Sequence, residues 1–143
     1  MPDVLDLEVA TPERQLVHEP AAEVQIPAKN GYIGVLPGHA PLLSELGTGF
    51  LSYDCGGKRR YLSIQGGFVE VLPNHVRVLA NAAERAEEID IVRARNDLRA
   101  AQDQVVNPAV GIDPAVALDE LAWAQARVDA AESENNRGGS SRT

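Results

Sequence analysis

Hydrophobic and polar positions follow two different patterns along this chain. In the N-terminal half, short apolar runs alternate with polar residues, as Leu5, Leu7 and Val9 do, and the runs end near glycine or proline. This period of two residues predicts half-buried β-strands. After residue 82 the apolar positions recur at three- and four-residue steps, and residues 74–107 contain neither glycine nor proline. That second pattern predicts helices.

The N-terminal half is predicted to hold about seven to ten short strands, because its turn residues are closely spaced. Residues 48–54 and 58–64 are expected to form one hairpin, and residues 67–72 and 75–79 a second one. No helical stretch separates the strands, which favours an antiparallel sandwich or flattened barrel over a parallel sheet. The side chains expected to point inward from the second hairpin are Phe68, Val71, Val76 and Val78, or the neighbours of these residues.

Residues 82–134 are predicted to form two alanine-rich helices joined by residues 107–114. Asp113 as N-cap and Pro114 at the first helical position mark the start of the second helix. Each helix carries a narrow apolar stripe with a period of about 3.5 residues, which is typical of a two-helix coiled coil. The stripe positions are Ile91, Ala94, Leu98, Ala101 and Val105 on the first helix, and Leu118, Leu121, Gln125 and Val128 on the second.

Three units follow from these patterns: a β-sandwich over residues 1–84, a helical hairpin over residues 85–135 and a flexible tail over residues 136–143. A two-helix hairpin has little core of its own, so its stability must come from packing on the sandwich or on a partner. Marginal docking makes it a candidate moving part, and a purely structural role is the alternative. Trp123 is a candidate docking contact.

The composition excludes several classes of function. The chain has 143 residues, 44% of them apolar, and a formal net charge of −8. An acidic protein is poorly suited to bind nucleic acid or an anionic membrane surface. No apolar stretch approaches the roughly 20 residues that span a bilayer, and the N-terminus lacks the pattern of a signal peptide. We therefore expect a soluble protein that does not insert directly into a membrane.

Candidate catalytic and metal-binding groups are sparse. His18, His39 and His75 are scattered and lack the spacing of metal ligands, so no metal site is predicted. A triad of His39, Ser44 and Glu45 can be drawn, but nothing in the sequence orients these side chains. The sequence contains no nucleophile elbow, phosphate-binding loop or dinucleotide fingerprint. We expect a protein that is not an enzyme.

Four segments resemble a known family in their order and spacing. They are residues 31–42 (GYIGVLPGHAPL), 66–71 (GGFVEV), 76–80 (VRVLA) and 83–90 (AERAEEID). Together they resemble the epsilon subunit of bacterial and chloroplast F-type ATP synthase, which is equivalent to the mitochondrial delta subunit. The resemblance covers residues 3 to about 132.

The resemblance implies an α+β fold, with a ten-stranded antiparallel β-sandwich followed by an antiparallel two-helix hairpin. It implies a non-catalytic central-stalk subunit that couples proton-driven rotation of the c-ring to ATP synthesis through the gamma subunit. The hairpin of such a subunit can also extend into the alpha/beta catalytic head and inhibit ATP hydrolysis. The expected location is the cytoplasmic face of the bacterial inner membrane, or the stromal face of the thylakoid for a plastid-encoded copy.

The resemblance also assigns candidate residues for rotor contact. The expected contacts with gamma and the c-ring are Asn30, Gly31, His39, Ala40, Pro41 and Leu42. The alternative, from the residues alone, is an unrelated β-sandwich binding module whose helices mediate dimerisation. Co-purification with gamma would separate the two hypotheses.

Some family members bind ATP on the folded hairpin through a motif that this chain matches at Ile89, Asp90, Arg93 and Ala94. ATP is therefore a candidate regulatory ligand, and no other cofactor is expected. Such members also carry arginines on the second helix, where this chain has Gln125 and Asp129. The second helix instead carries the acids Asp113, Asp119, Glu120, Asp129, Glu132 and Glu134. An acidic segment of the beta subunit would repel them, so the predicted inhibitory residues are Arg93, Arg95 and Arg99 of the first helix.

Overall fold

Alternating burial in the N-terminal half gives eight strands among the described residues of the computed structural model. The model describes the backbone of residues 4–140 and the side chains of residues 4–136. The strands are β1 (Leu5–Ala10), β2 (Gln15–Ala21), β3 (Glu23–Ala28), β4 (Gly31–Val35), β5 (Leu42–Glu45), β6 (Thr48–Cys55), β7 (Lys58–Leu72) and β8 (His75–Arg85).

All eight strands belong to one sheet, in the order β2-β1-β8-β7-β6-β3-β4, with β5 paired to β7. Every pair is antiparallel except β1 and β8, which run parallel with Asp6 opposite His75 and Val9 opposite Val78. The prediction of a wholly antiparallel module is wrong at this pair. Parallel neighbours need a long connection, and the chain from β2 to β7 supplies it.

The number of strands is eight, which lies within the seven to ten predicted from the residues and below the ten that the resemblance implies. One predicted break does not occur. Segments 58–64 and 67–72 form the single strand β7, although Gly66 and Gly67 between them have φ values of 60° and 110°. These glycines interrupt the extended backbone where β7 changes its partner from β6 to β5, while its pairing with β8 continues past them. The glycines therefore mark a break within a strand and not its end.

The main core lies between the inward faces of the strands. Its members include Leu5, Leu7 and Val9 of β1, all fully buried, which confirms the alternation predicted there. Phe68 does not belong to it: the side chain is 54% exposed, whereas Val69 and Val71 are buried. The prediction that Phe68 points inward is wrong, because residues three apart on a strand face opposite sides of the sheet.

The helical part begins later than predicted. Residues 82–85 extend β8, and a short 3-10 turn spans Ala86–Glu88. Helix α1 runs over Ile91–Val106 and is capped by Asp90. The division expected after residue 84 therefore falls one residue before the end of β8.

Helix α2 runs over Pro114–Ser140, so the hairpin does not end at residue 135 as predicted. No proline follows Pro114 and no glycine precedes Gly138 within this helix, so the sequence contains no stop signal at residue 135. Most of the predicted tail is thus helical, and residues 141–143 lie outside the described residues. Among the residues that the structure describes, no helix has the length and apolar character to cross a membrane.

The hairpin folds back onto the sandwich and forms a second, smaller core. Its buried members are Ala86, Ile89, Ala94, Val128, Ala130 and Ala131, with the half-buried Phe50 and Tyr61 of the sheet against them. Leu118 and Gln125, predicted to lie in the stripe of α2, are exposed. That prediction is wrong because α2 contacts both α1 and the sheet. Small alanines fill this wide buried surface, and a pattern based on leucine and valine misses them.

Candidate docking and regulatory surfaces

The predicted rotor-contact residues occupy two exposed segments at the two ends of β5. Asn30 lies in the turn between β3 and β4 and Gly31 is the first residue of β4, and both are exposed. This turn lies beside Glu45 at the end of β5, because the Lys29 backbone N–H donates to the Glu45 carbonyl at 3.0 Å and the two side chains pair at 3.1 Å.

His39, Ala40 and Pro41 precede β5 and Leu42 begins it. The Gly38 N–H donates to the Pro73 carbonyl at 2.7 Å, which holds this loop against the turn between β7 and β8. Since β5 has four residues, about 10 Å separates the two predicted segments. The structure therefore exposes both of them without joining them into one continuous site.

An exposed apolar surface lies between these segments, on the outer face of the sheet. We call Leu43, Phe68 and Leu79 the outer apolar patch; they are 73%, 54% and 54% exposed. Phe68 and Leu79 are directly opposite each other on β7 and β8, and Leu43 is diagonal to Phe68 because it pairs with Glu70. Large apolar side chains gathered on a surface mark an interaction site. Phe68 and Leu79 are not among the predicted contact residues, although strict alternation from Val69 and Val78 places both outside.

Arg127 fastens the hairpin to the sandwich. Its Nε donates to a Glu84 carboxylate oxygen of β8 at 2.6 Å, and its Nη1 donates to Asp97 of α1 at 3.1 Å. The Arg127 side chain is 18% exposed. One guanidinium therefore joins α2, α1 and the last strand. Trp123 also faces this interface, where it lines a cavity of about 320 Å³ together with Gln65 of β7.

A row of aromatic rings supports α2 on the sheet. The rings of Tyr32, Phe50 and Tyr61 follow one another at centroid distances of 6.0 and 6.1 Å. The Tyr32 hydroxyl accepts a hydrogen bond from the Phe50 N–H at 3.1 Å. Burial raises the pKa of the Tyr32 phenol, the Phe50 hydrogen bond opposes that shift, and the Asp129 carboxylate of α2 adds to it.

Three of the four candidate ATP-binding residues have structural roles in the folded hairpin. The Asp90 carboxylate accepts hydrogen bonds from the Val92 and Arg93 N–H groups at 3.1 and 3.2 Å, so it caps α1. Ile89 and Ala94 are buried in the second core. The side chains of Asp90 and Arg93 are exposed, and Arg93 is the one of the four without a structural role in the folded hairpin.

The predicted inhibitory arginines are all exposed on α1. Arg95 pairs with Glu132 of α2 at 3.1 Å. Arg93 and Arg99 make no ion pair with any side chain that the structure describes, since Asp97, a possible partner of Arg93 one turn away, bonds to Arg127 instead. The folded hairpin thus leaves two cations of α1 available.

His39, Ser44 and Glu45 do not form a catalytic triad in the structure. The His39 ring contacts the Ala40 carbonyl at 2.7 Å, and the Ser44 hydroxyl donates to the Glu45 carbonyl at 3.2 Å. Although the three histidines are scattered along the sequence, the fold brings His18 and His75 near the same strand. They lie on either side of β1, because β2 and β8 are its two neighbours.

Comparison with known proteins identifies the family. Residues 4–86 match the model described as the delta/epsilon chain of ATP synthase, β-sandwich domain. The ATP synthase epsilon chain of Solibacter usitatus is 60% identical over 132 residues, which cover 92% of this chain and 98% of that one. The chain belongs to the ATP synthase epsilon-chain family. The epsilon chain of Koribacter versatilis is 48% identical over 105 residues, covering 73% of this chain and 74% of that one.

A solved structure agrees with this assignment. The cryo-EM structure of the Euglena gracilis mitochondrial ATP synthase, OSCP/F1/c-ring in rotational state 1, contains a chain with a TM-score of 0.75 and 26% identity. The match covers 87% of this epsilon chain and 79% of that chain. The epsilon chain is a non-catalytic subunit of ATP synthase. The family model ends at residue 86, one residue after β8, so it covers the sandwich and leaves out α1 and α2.

Proposed function

We propose that this epsilon chain is a central-stalk subunit whose sandwich docks on gamma and the c-ring and couples rotation to ATP synthesis. The observation that carries the proposal is the outer apolar patch, which the subunit's own hairpin leaves exposed. The hairpin instead covers Phe50 and Tyr61. A surface that the chain does not cover itself is available to a partner subunit.

The two predicted contact segments fit this arrangement because they flank the patch at the ends of β5. A partner surface of ordinary size extends well beyond the roughly 10 Å between them. Gamma and the c-ring can therefore reach the Asn30–Gly31 turn, the His39–Leu42 loop and the patch together. The proposed location is peripheral, on the cytoplasmic face of the bacterial inner membrane, as for a bacterial epsilon chain. A stromal location would apply to a plastid-encoded copy.

The test measures binding of the full-length subunit to a purified gamma–c-ring complex. Phe68→Glu and Leu43→Glu should each weaken binding by more than about tenfold, because a charge would be buried at the centre of the interface. Leu118→Glu is the matched control, since Leu118 is 55% exposed on α2 and distant in sequence from the patch. Circular dichroism verifies that each variant is folded. Unchanged binding by both patch variants would remove the patch from the proposal.

Truncation tests whether the sandwich alone carries docking. A chain that ends after Arg85 keeps all eight described strands and the main core. It should still bind the gamma–c-ring complex. Without the hairpin, the apolar side chains of Phe50 and Tyr61 become exposed to solvent, so the solubility of the truncated chain must be verified first. A folded truncation that does not bind would assign docking to the hairpin.

The hairpin is proposed to regulate ATP hydrolysis by leaving the sandwich and entering the alpha/beta head. The folded state holds it through Arg127 and the second core, and Arg93 and Arg99 remain available for a new partner. ATP is proposed only as a weak ligand at Asp90 and Arg93, and no other cofactor is required. The alternative, a helical dimerisation module, is less well supported because the buried face of α2 already packs on its own sandwich.

A further inference from the structure

Five polar side chains meet on the outer face of the sheet, on the three adjacent strands β2, β1 and β8. Asp6 and Glu8 are two residues apart on β1 and therefore point to the same side. His18 lies opposite Glu8 on β2. On β8, His75 lies opposite Asp6 and Arg77 opposite Glu8.

His18 faces both carboxylates at distances that suit a shared cation. Its Nε2 lies 3.2 Å from Asp6 Oδ1 and 3.6 Å from Glu8 Oε1. A tetrahedral zinc ion with bonds of about 2.0–2.1 Å holds neighbouring ligand atoms about 3.3–3.4 Å apart. The two measured distances lie on either side of that value. One ligand atom from each of Asp6, Glu8 and His18 falls within 4.8 Å of the other two.

Each carboxylate is also held by its second oxygen. His75 Nδ1 lies 3.3 Å from Asp6 Oδ2, and Arg77 Nε donates to Glu8 Oε2 at 3.0 Å. Metal-binding side chains are commonly oriented by such outer partners, which fix the oxygen that faces the ion. Glu8 and His75 are only 21% and 18% exposed, so the strands hold this arrangement in place.

The cluster is open to solvent on one side. A cavity of about 380 Å³ borders Asp6 and His18 and is also lined by Pro20 and Asn74. It gives an ion a route to the cluster and leaves a coordination position for water, because the three ligands fill fewer than four positions.

We propose that Asp6, Glu8 and His18 bind one divalent transition-metal ion of the Zn²⁺ type, with His75 and Arg77 as positioning residues. Imidazole with carboxylate suits Zn²⁺ and similar ions, whereas Mg²⁺ requires octahedral oxygen ligation. The ion would join β1 to β2, which is the terminal strand of the sheet order. It therefore stabilises an edge of the sandwich.

The test titrates ZnCl2 alone into the full-length, chelator-treated subunit at about pH 7.5, because metal ligands must be deprotonated to bind the ion. Calorimetry should give one saturable site per chain, and the unfolding temperature should rise with the Zn²⁺ concentration. His18→Gln and Asp6→Asn should each weaken binding by at least about tenfold, and His75→Gln by about tenfold. His39→Gln is the matched control, because it removes the remaining histidine without touching the cluster. MgCl2 should produce no comparable binding.

Two outcomes would overturn the site. One is the absence of saturable Zn²⁺ binding up to about 1 mM, which would leave the cluster as a set of ion pairs. The other is equal binding by the His18→Gln variant and the His39→Gln control. If His18→Gln fails to fold without metal, Asp6→Asn decides the same question, since it removes the negative charge and one carboxylate oxygen while preserving side-chain size.

Discussion

Arg127 Nε donates a 2.6 Å hydrogen bond to the carboxylate of Glu84, and this bond crosses from the second helix to the last strand of the sandwich. The same guanidinium bonds to Asp97 of α1 at 3.1 Å. From Asp113 to Glu134 the sequence contains no other basic residue. The positive charge through which α2 binds the sandwich is therefore concentrated on the Arg127 side chain.

Arg127→Ala should loosen the hairpin without unfolding the sandwich. It leaves Glu84 and Asp97 without their shared cation, and we expect a loss of about 1–2 kcal/mol in docking free energy, since the site is only partly buried. Hydrogen exchange of α2 amides and Trp123 fluorescence measure it. Arg93→Ala is the control, because Arg93 has no ion pair among the described side chains. Equal protection of α2 in both variants would show that alanine packing alone holds the hairpin.

Gly67→Ala should destabilise the sandwich more than an alanine substitution at any turn glycine does. A Cβ at residue 67 would collide with the Leu79 carbonyl oxygen and lie 2.9 Å from Ala80 Cα, at a φ of 110°. We expect a loss of at least about 3 kcal/mol in the free energy of unfolding, measured in urea. Gly56→Ala is the matched control: it also has positive φ but open space around its Cβ, so it should cost only about 1–2 kcal/mol. Similar losses for both would mean that β7 and β8 shift apart easily at Gly67.

Glu88 should contribute stability that disappears in acid. The hydrogen bond from Arg14 is the largest influence on its pKa and lowers it. Burial raises the pKa, and the hydrogen bond from Arg85 lowers it further. The folded-state pKa thus lies below the ordinary value of 4.5. The contribution is present above pH 4.5 and is lost as the pH falls through the lowered folded-state pKa.

Glu88→Gln should therefore reduce the free energy of unfolding by about 0.5–1 kcal/mol near pH 7, and the difference from wild type should shrink below about pH 4.5. Urea unfolding at a series of pH values measures it. Glu13→Gln serves as the control, since Glu13 has no ion pair among the described side chains. A difference that stays constant down to about pH 3 would contradict this linkage.

The sequence was sufficient for the fold class because alternation and helical spacing are local properties. It predicted β1 and the start of α2 at Asp113 and Pro114 well. It could not show that β7 and β8 continue past Gly66 and Gly67, because that depends on pairing between strands. Nor could it place His18 and His75 on either side of β1. They are 57 positions apart in the numbering, and the pairing of β1 with both β2 and β8 brings them there.

Asp90→Ala should weaken α1 whether or not ATP binds. The substitution removes the cap from the Val92 and Arg93 N–H groups, and we expect a loss of about 1 kcal/mol, with Asp90→Asn close to wild type. ATP titration with Trp123 fluorescence should show only weak binding, with half-saturation above about 1 mM. The reason is that the Asp90 carboxylate is already occupied, while Gln125 bonds to Asp129 and neither supplies a cation. Saturation at micromolar ATP would establish a true regulatory site.

Arg93 and Arg99 should carry the inhibition of ATP hydrolysis by this subunit. An inhibitory hairpin must gain more free energy in the catalytic head than it loses on leaving the sandwich. These two arginines lose no ion pair with a described side chain when the hairpin leaves, whereas Arg127 must give up Glu84 of the sandwich and Arg95 is already paired with Glu132 of α2. Any new ion pair that Arg93 and Arg99 make in the catalytic head therefore favours the extended state without the loss of an existing ion pair.

The double variant Arg93→Ala, Arg99→Ala should relieve inhibition in a reconstituted ATP synthase. Two desolvated pairs worth about 1 kcal/mol each correspond to roughly a 30-fold change in the population of the extended state. The steady-state ATP hydrolysis rate should rise, while hydrogen exchange of the folded hairpin stays unchanged. Lys58→Ala, at the start of β7, is a control for loss of an exposed positive charge. An unchanged hydrolysis rate in a variant that still assembles would show that any inhibition comes from the packing of α2, despite its acidic surface.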